Sequence, residues 1–260
     1  MKKIVYLIVG ILLFCSCSSN NDSDNDSNNN SNSPIGKIKK IHNIDSQGNN
    51  YWINFSYDNN GRLNKIVHGN ETGSVINQSQ TILRNSSGIV INAYFVDNFS
   101  NQQITYNYTL DNNQNYLSCS IVYNPAGSPS QNNVETYIYS GGRISQINSS
   151  NGQKRKLSYD NNGNILKVET SNNGTIWNLD QISTYDDRIN AIDSSDSISL
   201  WGTSDGIFNS GINNVKTRSK VGSVNYNIQY TYNNNNKPIS SSFTRTSQNI
   251  NVNGTREYFY

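Results

Sequence analysis

The sequence is poor in the residues that build helices and large apolar cores. Its 260 residues include 3 Ala, 4 Glu, 11 Leu and 1 Met, and only 33% of them are hydrophobic. Ala, Leu, Glu and Met are strong helix formers, and a globular chain is typically about 45–50% apolar. The composition therefore excludes helical bundles, coiled coils and doubly wound α/β folds. Asn and Ser dominate instead, and both favour turns over helix interiors.

Cysteine, histidine and net charge are also scarce, and each shortage excludes a class of function. Two of the 3 Cys lie in the first 17 residues, so Cys119 cannot form an internal disulfide with a later partner, and we expect it to be a small core residue. His42 and His68 lack a metal-ligand spacing. The formal net charge is +2, too small for a nucleic-acid surface. We expect no metal, no cofactor and no nucleic-acid partner.

The N-terminus predicts export from the cytoplasm. Lys2 and Lys3 precede an apolar run from residue 4 to residue 14. This run is too short to span about 30 Å of hydrocarbon, and a basic start followed by a short apolar stretch is typical of a signal peptide.

The residues that end this segment resemble a lipoprotein processing site. Phe-Cys-Ser-Cys at 14–17 resembles the bacterial lipobox, which implies that residues 1–16 are removed and that Cys17 receives lipid. Cys15 is the competing acceptor, but the Phe before it is bulkier than the usual small residue. An ordinary secretory peptide with an incidental cysteine is the alternative. Removing Lys2 and Lys3 would bring the net charge to zero.

Residues 17–34 predict a flexible tether, because Ser, Asn and Asp offer nothing to bury. An acidic, Ser-rich stretch directly after a lipidated Cys is similar to the export signal of surface-exposed lipoproteins in Bacteroidota. We expect an outer-membrane lipoprotein. The sequence leaves open whether it faces the periplasm or the cell surface. Its membrane partner would be reached through the lipid on Cys17.

A short turn motif recurs through the rest of the chain. It is clearest at 57–63 (YDNNGRL) and 159–165 (YDNNGNI), with Asp58, Gly61, Asp160 and Gly163 as turn-forming residues. Asp bonds the backbone two residues on, and Gly tolerates positive φ, so the chain reverses into a hairpin. Degenerate copies occur at 84–89, 110–114, 139–143, 185–188 and 232–236.

The segments between these turns alternate apolar and polar residues, which is typical of half-buried strands. We predict one all-β domain over residues 35–260, an antiparallel up-and-down meander of repeated hairpins. The sheet is either curled or closed into a barrel, because both arrangements hide its edges.

These motifs resemble YD/RHS-type repeats. The whole layout is similar to a family of uncharacterised Bacteroidota lipoproteins with a porin-like β fold, which shares the Tyr-Asp hairpins, an irregular insertion (here 192–214) and a late Tyr-x-Tyr pair (here 230–232). The resemblance implies a fold and an envelope location but no active site. A membrane-spanning barrel needs an outward apolar band, whereas the outward phases here are Asn, Ser, Thr and Gln. We therefore expect a sheet that stays in water.

Three tryptophans are the candidate ligand-stacking residues, namely Trp52, Trp177 and Trp201. Exposed rings beside amides and carboxylates suit stacking on sugars; the alternative is packing beneath the connection 192–214. Ser197, in Asp-Ser-Ile, resembles an O-glycosylation acceptor of Bacteroidota.

No catalytic residue is predicted. Recurrence of Asp58 and Asp160 at turns is explained by capping, and Glu135 and Glu169 lie in predicted strands without a partner. We expect a non-catalytic binding module for a glycan or a protein. The alternatives are a structural accessory lipoprotein of an envelope complex and a glycan hydrolase, which would need two facing carboxylates.

Overall fold

The computed structural model describes residues 36–71, 76–190 and 213–260. Within these ranges no helix is long and apolar enough to cross a membrane. Several sequence predictions fall outside the described residues: the signal peptide 1–16, the tether 17–34 with Cys17, and Ser197 and Trp201.

Strands and connections make up the described chain. Its sixteen strands are β1 (Lys40–Asp45), β2 (Asn50–Tyr57), β3 (Leu63–Gly69), β4 (Ile76–Arg84), β5 (Val90–Asp97), β6 (Gln102–Leu110), β7 (Tyr116–Asn124), β8 (Gln131–Ser140), β9 (Arg143–Ser149), β10 (Lys154–Tyr159), β11 (Ile165–Ser171), β12 (Asn178–Ile189), β13 (Asn213–Lys220), β14 (Val224–Tyr232), β15 (Pro238–Ser247) and β16 (Ile250–Phe259).

The strands form one closed barrel in which every strand pairs antiparallel with its neighbours in sequence. The barrel is closed by β1 and β16, whose register runs from Lys40 opposite Phe259 to Asp45 opposite Gly254. The prediction of an all-β up-and-down meander is confirmed, and of its two forms the closed barrel is correct. Closure leaves no unpaired sheet edge.

The two faces of the wall differ in polarity. The inward face carries the buried apolar residues, among them Ile41, Ile53 and Phe55, all at most 6% exposed. On β14 the inward Tyr226, Ile228 and Tyr230 alternate with the exposed Asn225, Asn227 and Gln229. The Asn, Ser and Thr residues of the sequence therefore face outward along much of the wall, because a strand places successive side chains on opposite faces.

Polar side chains inside the barrel are held by hydrogen bonds. The guanidinium of Arg256, 3% exposed, donates from Nε to Asn43 Oδ1 at 3.1 Å and lies 4.6 Å from the ring centroid of Phe243. The hydroxyls of Ser241 and Tyr258 are 3.0 Å apart. Such pairing is required inside a protein because an unsatisfied buried polar group costs about 1–3 kcal/mol.

The Tyr-Asp segments form tight turns at one end of the barrel, here called the tight-turn end. The capping oxygens of Asp58, Asp111, Asp160 and Asn233 each accept backbone N–H groups two and four residues later, at 2.8–3.0 Å. At Gly61 and Gly163, φ is 73° and 93°, and glycine adopts this left-handed conformation without steric cost.

Tyrosines at the tight-turn end join one hairpin to the preceding one. In four hairpins the tyrosine before the turn position donates its hydroxyl to a carbonyl at or near the start of the earlier strand, at 2.7–3.1 Å, and the C-terminal tyrosine does the same; the pairs are Tyr57–Ile38, Tyr139–Tyr116, Tyr159–Ile144, Tyr185–Ile165 and Tyr260–Pro238. Arg84 takes the tyrosine position in its own hairpin and donates from Nη2 to the Leu63 carbonyl at 3.1 Å. The motif therefore fixes both the turn and the spacing of hairpins around the barrel.

Two of the degenerate copies differ from the prediction. The copy at 185–188 is not a tight turn: it lies inside β12, where the register with β13 is irregular. The copy at 139–143 is a two-residue turn, because Ser140 pairs directly with Arg143 and both intervening glycines have positive φ. Gly-Gly suits the two-residue hairpin, which needs positive φ at both positions.

Candidate functional site

A groove of about 530 Å³ lies on the outer face of the barrel, across β14, β15, β16 and β1. Its lining is Ile44, Asp45, Ser46, Asn227, Gln229, Ser242, Phe243, Thr244, Asn253, Gly254 and Thr255. Most of these residues are exposed amides and hydroxyls. Apart from the carboxylate of Asp45, the groove is therefore an uncharged surface rich in hydrogen-bond donors and acceptors.

Strand register arranges the polar groups of the groove in two rows. Asn227 opposes Thr244, which opposes Asn253, and the parallel row runs from Gln229 to Ser242 to Thr255. Within the first row Thr244 Oγ1 donates to Asn253 Oδ1 at 2.9 Å. Neighbouring strands lie about 4.8 Å apart, so each row presents polar atoms at a regular interval across the strands.

Gly254 and Phe243 shape the floor of the groove. They are cross-strand partners, and the Phe243 ring occupies the space that a side chain at 254 would need. A Cβ at position 254 would also lie 2.6 Å from the carbonyl oxygen of Ile44. Glycine lets β1 approach β16 closely here, as it does at bends in sheets.

An aromatic shelf lies beside the groove, on the outer face of β16, β1 and β2. Trp52 stacks on His42 with ring centroids 4.2 Å apart and planes 4° from parallel, and Phe259 lies 5.4 Å from Trp52. Lys40 Nζ is 5.8 Å from the Trp52 ring. His42 of the shelf and Ile44 of the groove are two residues apart on β1, and both face outward. The shelf and the groove therefore adjoin.

Polar neighbours hold the imidazole of His42 in place. Its Nε2 lies 2.8 Å from Asn50 Oδ1, and its Nδ1 lies 3.5 Å from a carboxylate oxygen of Glu257. Trp52 is half-buried rather than fully exposed, because one face of its indole is covered by this ring. The shelf is therefore ordered, with part of the indole open to solvent.

Trp177 lies elsewhere on the barrel. It is half-buried in the connection between β11 and β12, and Lys156 Nζ lies 4.0 Å from its ring centroid. Trp52 on β2 is six strands from β12 in the barrel order, about 29 Å along the wall at the usual strand spacing. The structure therefore does not bring these two candidates into one site.

The turn-forming residues Asp58 and Asp160 are occupied by their own hairpins. Burial opposes the charge on each carboxylate, but hydrogen bonds from the returning strand prevail and lower the pKa of both. In each case the second carboxylate oxygen accepts a hydrogen bond from the side chain four residues later. Asp58 accepts from Arg62 Nε, and Asp160 accepts from Asn164 Nδ2. Neither carboxylate faces the groove.

A small cavity of about 30 Å³ lies inside the barrel among tyrosines of β6, β7 and β8. Cys119, 1% exposed, and Glu135 contribute to its lining. Burial raises the pKa of the Cys119 thiol to about 12, so the thiolate that nucleophilic chemistry requires is rare at neutral pH.

The prediction that Glu135 and Glu169 have no partner is wrong. Glu135 forms an ion pair with Arg155 and accepts a hydrogen bond from Ser149 Oγ at 3.4 Å. Glu169 pairs with Lys167 at 2.9 Å. Among the described residues, no group of three or more His, Cys, Asp or Glu is placed to hold a metal ion.

The groove residues were missed by the sequence reasoning. Asn227, Ser242 and Thr255 come from three different strands, and each resembles any other outward polar residue in its own segment. The signal available in the sequence is the unusual density of Asn, Gln, Ser and Thr on the outward phases after residue 224.

Comparison with known proteins supports the fold. No protein-family model matches the chain, and no curated protein matches it. Among solved structures, it is similar to a porin-like protein from Bacteroides uniformis, with a TM-score of 0.52 and 13% sequence identity over 88% of this chain and 98% of that chain. At this identity the likeness shows a common β-barrel fold.

Proposed function

We propose that the protein is a lipid-anchored, non-catalytic barrel of the bacterial envelope that binds a glycan on the groove and aromatic shelf of its outer face. The adjoining groove and shelf are the observation that carries the proposal. The envelope location is supported by the lipobox-like segment ending at Cys17 and by the porin-like neighbour.

The chemistry of the groove favours a neutral sugar polymer. Asn227, Gln229 and Ser242 offer donors and acceptors without net charge, which matches the hydroxyl groups of a glycan. Trp52 adds an ordered ring on which a sugar face can stack. The rows of polar atoms extend across several strands, so they suit an extended ligand.

Binding is favoured over hydrolysis. Hydrolysis needs two carboxyl groups facing each other across the bond to be cleaved, and the carboxylate that lines the groove is Asp45. Burial opposes its charge, but hydrogen bonds from Asn49 and Gln47 prevail and lower its pKa. Asp45 is thus a poor general acid.

The barrel wall is proposed to face water rather than lipid. Strands that span a membrane carry a continuous apolar band on the outside. At mid-height this wall carries outward Asn107, Ser120, Thr136 and Asn227, and these groups would lose their hydrogen bonds with water in hydrocarbon.

The proposal is tested with a glycan array, using the mature chain, residues 17–260, followed by titration of any glycan that binds. Trp52→Ala is expected to weaken binding about tenfold or more, which corresponds to roughly 1.4 kcal/mol. Asn227→Ala should also weaken binding, because it removes a hydrogen-bonding amide from the lining of the groove.

Trp177→Ala is the matched control, because it removes the same side chain from a half-buried position far from the groove. Its affinity should equal that of the parent. If Trp52→Ala and Trp177→Ala weaken binding equally, the site is not on this face. If no envelope or host glycan binds and a membrane protein co-purifies with the lipidated chain, the accessory role replaces the binding role.

A further inference from the structure

We propose that the tight-turn end of the barrel rests on a lipid surface, which it contacts through an apolar collar. The collar consists of six outward side chains beside the tight turns: Leu83, Ile91, Leu117, Ile138, Leu166 and Ile239. Each of them is 37–54% exposed. This surface is separate from the groove and needs neither glycan nor groove.

The collar follows the hairpin repeat. Leu83 lies two residues before the capping Asn85, and Ile138 lies two residues before Ser140, which takes the equivalent position in the two-residue turn. Ile91, Leu117, Leu166 and Ile239 lie six residues after a capping residue. In the β4–β5 hairpin these two positions adjoin, because the register shifts between Leu83 and Arg84. Scattered exposed apolar residues need no explanation, but these recur at one height around the barrel.

A planar partner fits a collar at constant height. A protein would contact one side of the barrel, whereas the surface of a bilayer can meet residues on all sides of its rim together. Lys39, Arg143 and Lys216 are exposed at the same rim, which also carries the exposed Asp187 and the capping carboxylates of the tight turns. The charges at this end are therefore mixed, and the apolar collar is the feature that favours a lipid interface.

The course of the chain also leads to this end. The described residues begin at Gly36, beside Lys237 of a tight turn, and Lys39 N donates to the Phe259 carbonyl. The predicted tether 17–34 ends two residues before Gly36 in the sequence, so a lipid on Cys17 would leave no more than the length of this tether between the membrane and the collar. The choice of lipid as the partner rests on that anchor.

The test removes the lipid so that the collar alone can act. The mature chain, residues 17–260, carrying Cys17→Ser is sedimented with vesicles of phosphatidylethanolamine and phosphatidylglycerol. The parent is expected to sediment with the vesicles. Replacing Leu117, Leu166 and Ile239 by Ser is expected to lower the bound fraction at least about tenfold, because it removes half of the apolar side chains that would be buried in the lipid interface.

The control replaces three residues at the opposite end of the barrel, Ile176, Val221 and Ile250, by Ser. They are 59–67% exposed, and we expect binding within about twofold of the parent. Absence of parent binding, or an equal loss in both triple variants, would overturn the proposal. If a triple variant does not fold, the single variants replace it: each collar variant is expected to lose about twofold, and each control variant is expected to bind as the parent does.

The two proposals fail separately. Glycan binding by the collar variant should be unchanged, and lipidation of Cys17 is read from the mass of the membrane-extracted protein. A chain that binds glycan and carries lipid but shows no collar-dependent sedimentation contradicts only the docking surface.

Discussion

The carboxylate of Asp186 caps the backbone N–H of Asn214, 28 positions later in the chain. Oδ1 accepts from Arg188 N at 3.0 Å and from Asn214 N at 3.2 Å. Asp160 uses the same atom for residues two and four positions on, both at 2.9 Å. The β12–β13 connection is therefore a Tyr-Asp hairpin with an insertion at its tip, and its two ends keep the ordinary turn geometry.

Loss of one capping carboxylate is expected to destabilise the barrel. Asp160→Ala removes bonds to the backbone N–H groups of Asn162 and Asn164 and to the side chain of Asn164. We expect the free energy of unfolding to fall by about 1–2 kcal/mol, as for the loss of a helix cap. Chemical denaturation measures the change.

Asp187→Ala provides the comparison for this variant. Its side chain is 87% exposed and pairs with Arg188 at the surface, so the expected change is within about 0.5 kcal/mol. Equal effects of the two substitutions would contradict the capping role of Asp160.

Stability is expected to fall in acid. The pKa values of Asp45, Asp58, Asp97 and Asp160 lie below the ordinary value of 3.8, because hydrogen bonds to the carboxylates outweigh the opposing effect of burial. A carboxylate with a lowered folded-state pKa stabilises the fold above that ordinary value and loses this contribution as pH falls through the lowered pKa.

The denaturation midpoint should therefore be level around neutral pH and should drop between about pH 4 and pH 2. Asp58→Asn combined with Asp160→Asn should flatten this drop, because two of the contributing groups no longer titrate. A midpoint with the same acid dependence in parent and double variant would show that other groups govern it.

Local and long-range features differed in how well the sequence predicted them. The tight turns at Asp58 and Asp160 were predictable because each depends on five adjacent residues. A further turn of this type, in which Asp45 accepts from Gln47 N and Asn49 N, was missed, although Gly48 gives it the same signature. Asp45 follows Ile44 and not a tyrosine, so this turn lacks the Tyr-Asp pair that marks the turns at the other end of the barrel.

Barrel closure could not be predicted, because it depends on how many strands the sheet has and how they are staggered. The contact of Arg256 with Asn43 joins residues 213 positions apart, and neither segment carries a local sign of the other. The groove depends on the same closure, since Ile44 and Thr255 become neighbours only when β1 meets β16. The Glu135–Arg155 ion pair was likewise hidden, because β9 separates its two strands.

Gly254 is expected to tolerate no side chain. Gly254→Ala places a methyl group against the Phe243 ring and 2.6 Å from the carbonyl oxygen of Ile44. Overpacking of this kind typically costs about 1–3 kcal/mol, and we expect the free energy of unfolding to fall by about this amount. Thermal denaturation provides the measurement.

A second substitution separates the two contacts. Phe243→Leu with Gly254→Ala relieves the ring contact but leaves the backbone of Ile44 in place, so recovery should be partial. Complete recovery in the double variant would show that β1 does not approach β16 as closely as the structure has it.

The hairpin relationship of Asp186 and Asn214 predicts that the insertion can be replaced by a turn. Substituting residues 187–213 with Asn-Asn-Gly joins Asp186 to Asn214 through the tip that joins Asp160 to Asn164. Tyr185 already opposes Val215 as Tyr159 opposes Ile165, so no strand needs to change register. We expect a folded barrel whose free energy of unfolding is within about 1–2 kcal/mol of the parent, because lengthening or shortening a loop changes its closure entropy only slowly.

A matched variant with Ala-Ala-Ala at the tip should be less stable, since alanine is strained at the positive φ that glycine takes at Gly163. Circular dichroism and denaturation of both variants provide the readout, and loss of β structure in the Asn-Asn-Gly variant would mean that the barrel depends on residues of the insertion.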